Sequence, residues 1–92
     1  MVEEEKVKAV CEYLVDEFKD GAVAESYDPG RQAHAFKIQT AKSSHEAVVA
    51  KEFFDLHPSA SIPGVLKRFL LAEHLRDCAQ PIRVTAHGLE MD

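Results

Sequence analysis

Hydrophobic and polar positions in the first twenty residues recur with the period of a helix. Val7, Val10, Cys11, Leu14 and Phe18 stand at i, i+3, i+4, i+7 and i+11, with Glu12, Asp16 and Lys19 off that stripe. The spacing predicts a helix over 3–19. Glu3, Glu4 and Glu5 in its first turn suit the positive end of the helix dipole, and Asp20-Gly21 offers a stop.

The pattern then changes from a period near four to a period of two. "AVAESY" and "QAHAFKIQT" predict two strands around "DPGR", where proline presets the first turn angle and glycine suits the positive φ of a type II turn. In the second strand His34, Phe36 and Ile38 share one face, and Ala35, Lys37 and Gln39 the other.

"SSHE", Ser43 to Glu46, has the form of a capping box and predicts a second helix over about 44–56, with Val49, Phe53 and Leu56 as its core stripe and Pro58 closing it. A third helix is predicted from Ser61 to about residue 78, Pro63 being tolerated in its first turn. Its apolar face drifts. Ile62, Val65 and Phe69 lie to one side, Leu71, Leu75 and Cys78 to another, which implies contacts on two sides. "PIRVTAHGL" predicts a closing strand with Ile82, Val84 and Ala86 inward and Arg83, Thr85 and His87 outward. The expected architecture is one two-layer α+β domain spanning 1–92, order α-β-β-α-α-β, with three helices on one face of a three-stranded sheet. Its expected core comprises Val10, Leu14, Phe18, Phe36, Ile38, Phe53, Phe69, Leu75 and Val84.

Composition narrows the functional classes. Hydrophobic residues make up 46% and charged residues 29%, too apolar for intrinsic disorder. The longest apolar runs, such as "FLLA" at 69–72, fall far short of the roughly 18 residues of a membrane span. "MVEEEKVK" is unlike a signal peptide, and two cysteines do not make a disulfide framework. A cytoplasmic protein with reduced thiols is expected, with no membrane partner. The net charge of −5 is unevenly placed: residues 1–28 hold three basic and nine acidic side chains, residues 29–92 eight and seven. That balance opposes a general nucleic-acid binder, which needs a cationic field.

The chemical leads are sparse. "LAEHLRDC" sets His74 four residues before Cys78, a spacing that suits two ligands of one zinc, but the pair falls in the stripe Leu71, His74, Leu75, Cys78, and no C-x-x-C or second histidine pair supplies further ligands. Two core residues are expected there, and no metal or other cofactor. "HEAVV" has Val49 where a zinc-protease helix needs its second histidine, and glycine-framed nucleophile and phosphate motifs are absent. A non-catalytic domain is therefore expected.

Two surfaces remain. In "SASIPGVLKR" Ser59, Ser61, Gly64, Lys67 and Arg68 form a candidate contact for an anion or a nucleic-acid backbone. On the outer sheet face Lys37, Arg83 and His87, with Gln39 and Thr85, form a candidate cationic strip. The element order resembles that of a type II KH-like domain, whose interhelix loop grips nucleic acid, but "HPSASIPG" lacks the G-x-x-G that carries the grip. The expected function is recognition of another macromolecule, protein first, with an RNA- or DNA-binding module using the interhelix segment as the alternative.

Overall fold

A computed structural model describes residues 3–78 and 80–91. Its elements are α1 (Glu4–Glu17), β1 (Ala22–Asp28), β2 (Ala33–Gln39), β3 (Ser44–Ala50), α2 (Lys51–Leu56), a 3₁₀ turn (Ser59–Ser61), α3 (Ile62–Phe69), α4 (Leu71–Asp77), β4 (Ile82–Val84) and β5 (Leu89–Met91). The fold is mixed α+β, and the five strands lie in sequence order across one sheet. The pairs β1–β2, β2–β3 and β4–β5 are antiparallel. The pair β3–β4 is parallel, so the three helices between them form a crossover.

The first helix and the first hairpin follow the hydrophobic pattern. Val10 and Leu14 are fully buried, Phe18 nearly so, and Val7 and Cys11 border the core. Tyr13, off the expected stripe, is buried too. The hairpin turn is built differently from the type II turn. No glycine takes a positive φ; Gln32 does, at 50°. Asp28 Oδ1 accepts hydrogen bonds from the amides of Gly30 (3.0 Å) and Arg31 (3.3 Å), so an aspartate side chain shapes the bend.

The sheet has five strands rather than three because two segments adopt extended structure where it was not expected. Residues 44–50 form β3 instead of the start of a helix. Ala47, Val48, Val49 and Ala50 are all buried, as fits a strand with neighbours on both sides, and Ser43 Oγ lies 3.1 Å from Thr40 Oγ1 instead of capping a helix. The second helix is thus only Lys51–Leu56. Phe53 and Phe54 are its buried residues, and Leu56 is exposed. The closing strand also divides: the Thr85 amide donates to the Gly88 carbonyl (2.8 Å), and the chain returns as β5.

The drifting face of the third predicted helix marks a break. Leu70 adopts φ 60°, ψ 40°, and separates α3 from α4, giving four helices in place of three. One cluster then joins α1, α2, α3 and α4 to alternate residues of the sheet, including Phe36, Ile38, Ala47, Val49, Ile82 and Val84. Phe69 is half-buried at its edge, with its ring centroid 6.3 Å from that of Phe53. The expected order α-β-β-α-α-β is therefore replaced by α-β-β-β-α-α-α-β-β, and the likeness to KH-like element order does not hold.

Candidate functional site

The interhelix residues do not converge on one point. Ser61 Oγ donates to the Pro58 carbonyl (3.0 Å), and neither Ser61 nor Pro58 caps its helix with a side-chain bond. Gly64 lies in α3 with open space around it. Lys67 and Arg68 are exposed in the last turn of α3, at the end where the helix dipole is negative and away from Ser59 and Ser61. The segment offers two adjacent bases, with no loop closing over an anion.

The outer sheet face carries both signs of charge. Lys37 stands opposite Glu46, and Arg83 opposite Glu90, with Arg83 Nε 3.9 Å from Glu90 Oε1. Each base thus has an acid as its cross-strand neighbour, so the expected cationic strip is an alternation. His87 sits at the tip of the turn that joins β4 to β5, and Thr85 Oγ1 donates to the Gly88 carbonyl. The pairing rule that exposes this neutralisation is cross-strand register, which a single strand's alternation does not contain.

His74 and Cys78 also part company. His74 is exposed, contrary to the core expectation, and its Nδ1–H donates to the Leu70 carbonyl (2.8 Å). Cys78 is half-buried against the core, with Sγ 3.8 Å from Met91 Sδ. Among the described residues no three His, Cys, Asp or Glu side chains gather as a metal site would need.

One hydroxyl–imidazole pair was invisible in the sequence reading. Ser43 Oγ lies 3.0 Å from His45 Nε2, beside the Phe18 ring. A serine nucleophile needs that nitrogen to accept its proton, which requires Nδ1–H to be held by a carboxylate or carbonyl. Here Nδ1 is buried and has no hydrogen-bond partner among the described residues. The pair ties the turn between β2 and β3, where Ser43 Oγ also lies 3.1 Å from Thr40 Oγ1.

The most open feature of the fold is the β1 edge. β1 runs seven residues at one end of the sheet, with only Val23 and Asp28 half-buried. The other end is the three-residue β5. α1 packs over β1 and β2, and its outer flank forms a shallow groove lined by Lys8, Cys11, Glu12, Val15 and Asp16. Glu25 of β1 stands close enough to Cys11 to act on it: burial raises the thiol pKa most, and the Glu25 and Glu12 carboxylates raise it further. Glu25 occupies the helix-facing row with Phe36 and Ala47, and its Oε2 accepts from His34 Nδ1 at 2.8 Å. Tyr27, exposed at 54%, packs on the His34 ring. Sequence reading missed this site because each residue looks like an ordinary solvated position; only the sheet order puts the acidic helix and the unpaired strand side by side.

Comparison of the chain with protein-family models, with curated proteins and with solved structures finds no match.

Proposed function

We propose that this chain is a small non-catalytic binding domain that recognises another macromolecule, a protein, along the β1 edge. The observation that carries the reading is the seven-residue edge strand, which has no strand beside its outer side among the described residues and is flanked by the α1 groove. A strand edge presents a row of amide donors and carbonyl acceptors, a template that polypeptide satisfies and nucleic acid does not. Free Cys11 and Cys78 fit a reducing, cytoplasmic setting, and no helix among the described residues is long and apolar enough to cross a membrane.

The second reading is a nucleic-acid-binding module at Ser59–Arg68. The adjacent exposed bases Lys67 and Arg68 favour it. The net charge of −5 weighs against it. Photo-crosslinking in cells separates the two: a photoreactive amino acid at position 27 should yield protein adducts, and one at position 67 should yield neither RNA nor DNA adducts. Nucleic-acid adducts at position 67, with none of protein at position 27, would reverse the order.

A further inference from the structure

We infer that the β1 edge takes a basic, extended peptide segment, added as a sixth strand, with an alternating pattern of apolar, basic and apolar side chains facing α1. This rests on the protein-recognition reading and names the partner's chemistry. The sheet order brings together the chain's two acidic elements. Nine of the sixteen acids lie in residues 1–28, and seven of them stand in α1 and β1 at one end of the sheet. Among the lining residues of the groove Lys8 is the one base beside Glu12 and Asp16, and Glu25 on the strand keeps an oxygen for a partner beyond the one that accepts from His34, whereas Asp28 is held by Arg31 and its own turn.

The register predicts what each partner side chain meets. Val23, Glu25 and Tyr27 form the helix-facing row of β1, and Ala22, Ala24, Ser26 and Asp28 the outer row. A residue laid beside Glu25 also approaches Cys11 and Glu12, and so should be Lys or Arg. Its neighbours two places either way lie beside Val23 and beside the exposed Tyr27 ring, and so should be apolar or aromatic. The outer row is small from Ala22 to Ser26, with Asp28 at its end, and admits most side chains.

The same register argues against a second copy of this chain. Antiparallel self-pairing of β1 about its middle residue sets Glu25 directly opposite Glu25 of the other copy, a like-charge contact at the centre of the interface. An inward-facing charge on an edge strand blocks homotypic pairing while leaving a place for an opposite charge.

The test is selection of a random dodecapeptide library, displayed on phage, on the immobilised full chain. Enriched peptides should share the apolar–x–Lys/Arg–x–apolar pattern. Their affinity, read by fluorescence polarisation, should fall by about tenfold or more in Glu25→Lys and, independently, in Glu12→Lys, which lies on the exposed face of α1 outside the strand ladder. Methylation of alternate backbone nitrogens in the peptide should abolish binding. Peptides whose binding ignores both reversals would overturn the inference and leave protein recognition standing. No enrichment, or a dimer in sedimentation whose interface protects β1, would overturn the inference; salt-sensitive RNA binding without any enriched peptide would overturn both.

Discussion

The phenol oxygen of Tyr13, in α1, accepts a hydrogen bond at 3.1 Å from the backbone N–H of Ala72, the second residue of α4. Helix α4 starts at Leu70, whose apolar side chain cannot cap it, so its first amides need an acceptor from elsewhere. Tyr13 supplies one from 59 residues away, in a buried setting. Burial, above all, holds the phenol above its ordinary pKa range, and the Ala72 contact opposes that in part. Tyr13→Phe keeps the ring but orphans the amide, and should destabilise by about 1–3 kcal/mol in chemical denaturation. No change would show that water takes the phenol's place.

Leu70 invites the opposite result. Its left-handed backbone costs a non-glycine residue about 1 kcal/mol or more, and the side chain, exposed at 48%, regains little by burial. Leu70→Gly should leave stability unchanged or raise it by up to about 1 kcal/mol, whereas the β-branched Leu70→Val should lower it. Equal melting temperatures for the two variants would contradict the strained break.

Phe36 of β2 and Phe53 of α2 are both fully buried in the one core cluster. Truncation of either to alanine should cost about 3–5 kcal/mol, a large share of a small domain's stability. A loss below about 1 kcal/mol would mean the opposite sheet face is the buried one.

Phe36 was legible in the sequence because it alternates with the period of its own strand, whereas Phe53 was expected in the core on a stripe with Val49 and Leu56 that the structure divides between β3 and an exposed helix end. What was not legible depended on neighbours. Val49 was expected on a helical stripe, but a short apolar run such as 47–50 also suits a fully buried strand, and the flanking β2 and β4 make it one. The split between β4 and β5 rests on the Thr85 turn and on strands of three residues, too short for a period to register. The break at Leu70 did leave a signal, the shift of apolar face between Phe69 and Leu71. The candidate site left almost none: Glu25 and Tyr27 become a surface only when the sheet leaves β1 at its end.

The raised thiol of Cys11 gives stability a pH dependence. The unfolded thiol ionises near about pH 8.5, while in the folded chain burial, Glu25 and Glu12 hold the proton to higher pH. Between those two values the unfolded chain has lost a proton that the native chain keeps, so stability is complete below that window and falls as pH rises through it. Tyr13 adds a loss of the same sign from about pH 10 upward. Thermal melting should fall from about pH 8 to pH 10, and less so in Cys11→Ser. A melting temperature that rises across this range would contradict a thiol held protonated by burial and by the nearby carboxylates.

The central claim is that the outer edge of β1 receives a partner strand, and amide hydrogen exchange reads that edge directly. In the free chain the outward amides of 22–28 should exchange among the fastest of any strand, because water is their only partner. With a saturating basic peptide from the library they should slow by about tenfold or more, while exchange across 59–68 stays unchanged. Unchanged exchange in 22–28, or protection confined to 59–68, would contradict it.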